Sequence, residues 1–219
     1  SGTWGATNGA VTLEGGVLDL GGLTRTNGAF TLGGGILANG TFSASSFSLT
    51  NTGTNSAILA GSGAVTKTGA GTATLSGVNT YSGGTTVNAG TLALTNAGTF
   101  GSTSGALTIV AGTVDMGGQT RTNGTFTLGS GTLTNGTLNA TSYALTNAGN
   151  IYAILAGSGA LTKSGAGTST LTNANTYSGG TTVNAGTLAL SGSGTLGGTS
   201  GALAIGAGTV DLGGLTRTN

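Results

Sequence analysis

The sequence lacks cysteine, histidine and proline, and only 4% of its 219 residues are charged. Without cysteine the chain forms no disulfide bond and no cysteine metal site. Without histidine and cysteine, neither a Ser-His-Asp nor a Cys-His catalytic arrangement is possible. A soluble domain usually has about 25% charged residues, whereas here five basic and four acidic residues give a net charge of +1. We therefore predict that the chain binds neither nucleic acid nor an anionic membrane surface.

Long apolar runs are also missing. The apolar runs are short, for example residues 57–60, whereas a membrane-spanning helix needs about 20 apolar residues. We predict that this segment does not insert into a membrane. Residues 1–3 do not resemble a secretion signal, and we expect the chain to be an internal fragment of a longer array, with more copies or capping repeats outside it.

Glycine is abundant, with 48 residues, and threonine, serine and asparagine fill most polar positions. This composition disfavours helices. The absence of proline is typical of interior strands, because each backbone N–H is needed in a ladder of hydrogen bonds. The composition therefore predicts an all-β fold.

A repeat of 96 residues runs through the whole sequence. Residues 18–22 recur in nearly the same form at 114–118 and 210–214, and residues 61–64 recur at 157–160. The chain thus holds about 2.3 copies, and we predict one continuous solenoid over 1–219. Its copies are 1–96, 97–192 and a partial copy, 193–219.

A shorter period lies inside each copy. Glycines that open a short apolar strand follow one another at intervals of 18 to 22 residues: Gly90, Gly112, Gly131, Gly149, Gly167 and Gly186. This spacing predicts about five rungs per copy, each rung being one complete turn of about 19 residues. A rung cannot bury its own apolar face, so its stability depends on the neighbouring rungs.

Apolar residues alternate with polar ones inside each rung. Residues 91–94 and 125–128 place two apolar side chains on one face, which is the period of a strand. The strands are bounded by glycine and by Asn-Gly pairs such as Asn39-Gly40, which tolerate the positive φ of tight corners. Asn-Gly also favours antiparallel hairpins. We prefer a parallel solenoid, because near-identical long copies indicate an array.

Two segments carry a more specific motif. Residues 71–92 contain Asn-Thr-Tyr-Ser-Gly-Gly-Thr-Thr at 79–86, and residues 167–188 contain the same eight residues at 175–182. This motif closely resembles the passenger-associated repeat of autotransporters. The resemblance implies a right-handed parallel β-helix that a Gram-negative bacterium displays by type V secretion, often as an adhesin or a stalk.

The four carboxylates do not suggest catalysis. Asp19, Asp115 and Asp211 are one repeated position, about five rungs or 24 Å apart, whereas the carboxylates of a glycosidase lie about 5–10 Å apart. Glu14 has no acidic counterpart in the other copies. We predict that the chain is not an enzyme and has no catalytic residue, no cofactor and no metal site.

Two groups of residues are candidate binding residues. In each copy an arginine follows the repeated aspartate by six residues, which gives the candidates Asp19, Arg25, Asp115, Arg121, Asp211 and Arg217. These residues either contact a ligand or another chain, or they form a local pair worth about 0–1 kcal/mol. Tyr81 and Tyr177 either stack on sugars or pack against the adjacent rung at a corner.

The sequence as a whole predicts a non-catalytic stalk or fibre segment of an extracellular adhesin at a bacterial cell surface. We expect further copies of the same chain as partners, end to end or side by side. The alternative is a binding module whose solenoid face recognises glycans or host matrix. Frequent Thr-X-Thr patches raise ice binding as a less favoured function, because the patches fall at uneven places in the repeat.

Overall fold

Residues 7–214 are described by a computed structural model of the chain, in which every strand pairing is parallel. No helix in this range is long and apolar enough to cross a membrane. The chain divides into two compact units, the first ending at Gly105 and the second beginning at Ala106. Each unit is a solenoid whose strands form three stacks, A, B and C.

The first unit contains the strands β1 to β11. Stack A consists of β1 (Val11–Leu13), β3 (Ala29–Leu32), β5 (Ser46–Leu49), β8 (Ala64–Lys67) and β10 (Thr85–Val87). Stack B consists of the first halves of β2 (Val17–Thr26) and β4 (Ile36–Ser43), then β6 (Gly53–Asn55), β9 (Thr72–Leu75) and β11 (Thr91–Leu94). Stack C consists of the second halves of β2 and β4 and of β7 (Ile58–Ala60).

The second unit repeats this order. Stack A consists of β12 (Leu107–Ile109), the ends of β13 (Thr113–Leu128) and β14 (Thr132–Leu145), then β17 (Ala160–Lys163), β19 (Thr181–Val183) and β21 (Leu203–Ile205). Stack B consists of the beginnings of β13 and β14, then β15 (Asn150–Ile151), β18 (Thr168–Leu171), β20 (Thr187–Leu190) and β22 (Thr209–Asp211). Stack C consists of the middles of β13 and β14 and of β16 (Ile154–Ala156).

The strand register gives the length of each rung. Along stack A of the second unit, paired residues from Leu107 to Leu203 are offset by 19, 17, 18, 20 and 22 residues, five rungs that together span one 96-residue repeat. Over both units there are about 11 rungs, about 19 residues apart. The predicted all-β parallel solenoid is thus confirmed, and the antiparallel alternative is wrong. The single continuous solenoid with boundaries at 96 and 192 stays a prediction.

The interior of each unit is filled by the alternate residues of the strands. Phe30, Phe47 and Val65 follow one another in stack A of the first unit, and each is at most 1% exposed. Across the interior, the rings of Phe30 and Phe42 lie 4.7 Å apart. Each such side chain contributes roughly 1.5–3 kcal/mol when it is fully buried. Stacking of like residues from rung to rung therefore stabilises the solenoid.

A polar residue with an unsatisfied oxygen lies in the interior of the first unit. Asn55 is fully buried and is aligned between Leu37 and Leu75. Its Nδ2 donates to the carbonyl of Ala57 at 2.9 Å, but its buried Oδ1 accepts no hydrogen bond from the described residues. The same position of the second copy is Ile151, which is also fully buried.

We expect Asn55→Ile to raise the free energy of unfolding by about 1 kcal/mol, because it removes an unsatisfied buried oxygen and adds apolar contact. The reciprocal change Ile151→Asn should lower the free energy of unfolding by about 3 kcal/mol. Urea denaturation of both variants measures these changes. Destabilisation by Asn55→Ile would contradict the prediction and would show that the bond to Ala57 outweighs the orphaned oxygen.

Candidate functional site

The motif shared by the two copies forms a buried polar corner above stack C. We call it the Asn-Tyr corner: Asn79, Tyr81 and Thr85 in the first unit, and Asn175, Tyr177 and Thr181 in the second. Residues 79–84 and 175–180 lie in the rung after the last strand of stack C and form no strand, whereas Thr85 and Thr181 begin β10 and β19. The backbone N–H groups of residues 80 and 81 both donate to the carbonyl of Leu59, at 2.8 and 3.2 Å, and residues 176 and 177 do the same to Leu155.

The asparagine side chain joins three successive rungs. Asn79 Oδ1 accepts a hydrogen bond from the backbone N–H of Leu59 in the rung before, at 2.9 Å. Its Nδ2 donates to the carbonyl of Thr99 in the rung after, at 2.8 Å. Because the corner is not a strand, the amide takes the place of the backbone groups that a ladder would supply. Asn175 makes the same two bonds, to Leu155 and Thr195, at 2.9 and 3.0 Å.

The tyrosine hydroxyl belongs to a second chain of buried hydrogen bonds. Tyr81 Oη lies 2.6 Å from Thr85 Oγ1, and Thr85 Oγ1 donates to the carbonyl of Phe100. A threonine hydroxyl has one proton, so Tyr81 is the donor in the first bond. Tyr177 and Thr181 form the same pair at 2.7 Å, and Thr181 Oγ1 donates to the carbonyl of Leu196.

Both tyrosine rings pack inside the solenoid. Tyr81 and Tyr177 are fully buried, and their centroids lie 5.8 Å from Phe47 and 5.7 Å from Tyr143. A ring without an exposed face cannot stack on a sugar at the surface. Of the two alternatives for Tyr81 and Tyr177, this burial favours packing against other rungs, and a binding role stays a prediction.

Burial also changes the acidity of the tyrosines. It raises the pKa of Tyr177 to about 12, compared with about 10 for a tyrosine in an unfolded chain. The hydrogen bond with Thr181 lowers this pKa and the nearby Tyr143 raises it. Desolvation, which disfavours the phenolate, is the main cause.

We therefore expect Tyr177 to make stability depend on alkaline pH. Since the folded-state pKa is raised, its contribution is fully present below pH 10 and is lost as the pH rises towards about 12. Relative to Tyr177→Phe, the wild type should be about 1 kcal/mol more stable at neutral pH and about 1 kcal/mol less stable at pH 12, because ionisation of the buried tyrosine removes about 2 kcal/mol. Urea denaturation at several pH values measures this. The control is Tyr152→Phe, at a residue that is 48% exposed, and an unchanged pH profile for Tyr177→Phe would contradict the assignment.

A lysine lies in the interior of each unit, a feature that the sequence analysis missed. Lys67 is fully buried in stack A between Leu49 and Val87, and Lys163 occupies the same position of the second copy. The Nζ atoms donate to the carbonyls of Gly69 and Gly165. Desolvation lowers the pKa of both lysines. They cap carbonyl groups at a corner, while their aliphatic stems fill the core.

The repeated aspartates lie on the outer surface, as the alternation predicts. Asp19 and Asp211 are exposed and Asp115 is half-buried. Asp19 accepts hydrogen bonds at 2.8 Å from the Gly21 N–H and from Asn39 Nδ2, one rung further on. The Gly21 bond is the larger cause that lowers the pKa of Asp19. Asp115 bonds Gly117 and Asn135 in the same way.

The two described arginines lie beside the apolar interior. Arg25 is aligned with the buried Phe42 and Arg121 with the buried Leu138, and both arginines are half-buried. Desolvation lowers the pKa of Arg121, and its guanidinium donates to the carbonyl of Thr120 at 3.2 Å. Arg217 lies outside the described residues. The binding role of the Asp and Arg residues stays a prediction.

Residues 7–214 contain no group of three or more acidic side chains that could hold a metal ion. The recurring polar residues of the corner instead bond the backbone of the neighbouring rungs. The chain is thus a repeat protein of the parallel β-solenoid class, with a buried Asn-Tyr corner in each copy.

A family model, the passenger-associated-transport-repeat, matches residues 65–94 and 161–190. Both Asn-Tyr corners lie inside these segments, so the chain carries two passenger-associated-transport repeats, as its resemblance to autotransporter passengers implied. The repeat indicates an autotransporter passenger domain and hence a protein that is secreted or exposed at the cell surface. Comparison with curated proteins gave no match, and neither did comparison with solved structures.

Proposed function

We propose that the chain is a non-catalytic stalk segment of an extracellular adhesin at a bacterial cell surface. The observation that carries the proposal is the burial of the recurring motif. Its asparagine and tyrosine form hydrogen bonds and packing contacts inside the solenoid. A spacer needs stiffness and length, and rung-to-rung bonds supply both. The passenger repeat supports the location.

The test is to change the number of 96-residue copies between a surface anchor and a terminal epitope. Each copy adds five rungs spaced by about 4.8 Å, so four added copies should raise the epitope by roughly 100 Å. Atomic force microscopy of the displaying cells or of purified chains measures this height. An unchanged height, or loss of surface adhesion when one internal copy alone is removed while the tip is intact, would contradict a spacer.

A further inference from the structure

A cleft with both polar and apolar walls opens on the second unit at the corner that follows stack C. Its volume is about 190 Å³, which is smaller than the 300–1,000 Å³ of a site for a drug-sized ligand. The cleft crosses three successive rungs, since Thr122 is aligned with Asn139 and Asn139 with Ala156. Its walls carry the hydroxyls of Thr122, Thr141 and Ser158 and the amides of Asn123 and Asn139.

One tyrosine hydroxyl holds this corner apart. Tyr143 Oη accepts from the Ala140 N–H at 2.9 Å and also bonds the carbonyl of Ala156 in the next rung. In the first copy Tyr143 is replaced by Phe47, and there the equivalent backbone groups bond each other directly, from the Ala44 N–H to the Ala60 carbonyl at 3.2 Å. The hydroxyl of Tyr143 is thus inserted into a backbone bond that the first copy makes without it.

The two copies differ in width at this point. A Cβ placed on Gly61 of the first unit would lie 2.7 Å from Ser43 Oγ and 3.0 Å from the Ala44 carbonyl oxygen. A Cβ placed on Gly157, the equivalent glycine, would lie no closer than 3.6 Å to any atom outside its chain neighbours, and that atom is Asn139 Oδ1. The corner with the tyrosine is therefore open where the corner with phenylalanine is closed.

We propose that this cleft binds a single ring of a neutral carbohydrate. Amide and hydroxyl groups both donate and accept hydrogen bonds, as sugar hydroxyls do. No charged side chain lines the cleft, so an anion would find no counter-charge. The inference goes beyond the proposed stalk function and does not depend on it.

The test is a titration of the ¹⁵N-labelled chain with glucose, galactose, mannose and N-acetylglucosamine, followed by amide chemical shifts. We expect at least one sugar to shift the amides of Thr122, Asn139, Thr141 and Ser158 in a saturable way. Tyr143→Phe should weaken this binding at least tenfold, because it restores the direct backbone bond. Asn139→Ser, which introduces the first-copy residue, should also weaken binding while Tyr143 still holds the corner open.

A transplanted cleft provides the reciprocal experiment. The double variant Ser43→Asn, Phe47→Tyr introduces the second-copy residues into the first unit, and new sugar-dependent shifts should appear at Ser45 and Ser62. The inference is overturned if no sugar shifts the cleft amides, or if glycerol shifts them as strongly as the sugars. It is also overturned if both single variants, folded as judged by distant amides, bind as the wild type does. Failure here leaves the stalk function untouched, since that is tested by epitope height.

Discussion

Replacing Gly83 by alanine should lower the free energy of unfolding of the first unit by about 3 kcal/mol or more, the upper end of overpacking costs. A Cβ on Gly83 would lie 2.5 Å from Ala64 N, 2.6 Å from Gly63 C and 2.7 Å from Ser62 O. These atoms are backbone of the preceding rung, and they cannot turn aside as a side chain does. The motif therefore requires glycine here to let two rungs approach, and Gly179 meets the same atoms of its own preceding rung.

Gly15→Ala is the matched control for this prediction. A Cβ on Gly15 would meet nothing within 4 Å, so its substitution should be neutral or stabilise the unit by up to about 1 kcal/mol. Urea denaturation, together with hydrogen exchange of the Ala64 amide, separates the two variants. Equal stability of Gly83→Ala and Gly15→Ala would show that the rungs separate at no cost, contrary to the contact argument.

Asn79→Ala should lower the free energy of unfolding by about 4 kcal/mol. The change leaves the Leu59 N–H and the Thr99 carbonyl without the partners that the amide provides. Each unsatisfied buried group costs about 1–3 kcal/mol. The Leu59 amide should also exchange its hydrogen faster, because its acceptor has gone. Asn175→Ala should have the same effect on the Leu155 amide of the second unit.

The control for Asn79→Ala is Asn88→Ala, because Asn88 is exposed and lies in the same copy of the motif. We expect it to change stability by less than about 0.5 kcal/mol. Hydrogen exchange at Leu59 should be unaffected in this control. If Asn79→Ala left that exchange rate unchanged, the amide would not be the acceptor and its proposed bridging role would be wrong.

The sequence predicted the architecture well, because the repeat leaves few alternatives. Glycines such as Gly131 and Gly167 were expected to open strands, and β14 and β18 begin at the next residue. The alternation of residues 125–128 correctly assigned Phe126 and Leu128 to the interior. The strand period and the interval between glycines are local properties of the chain, and they define a rung before any long-range contact is known.

The polar interior was not predictable in this way. Lys67 was not among the candidate residues, and Arg25 was expected to contact a ligand or to form a local pair, yet both are aligned with apolar interior residues. Tyr81 was offered as a surface platform and is buried. A polar side chain enters the core only where it finds a partner. For Asn79 the partners are backbone groups some twenty residues away along the chain, whereas Lys67 bonds the nearby carbonyl of Gly69.

The sequence by itself determined the 96-residue repeat, the five short rungs in each copy, the strand character and the passenger motif. These follow from spacing and from the conformational preferences of glycine, asparagine and β-branched residues. Only the tertiary structure decided which residues meet across rungs, because rung lengths vary from 17 to 22 residues and shift the alignment. That alignment places Asn79 between Leu59 and Thr99 and inserts Tyr143 between Ala140 and Ala156. The physical reason is that Asn79 and Tyr143 bond backbone groups of neighbouring rungs, and these bonds depend on the alignment of the rungs rather than on a local pattern.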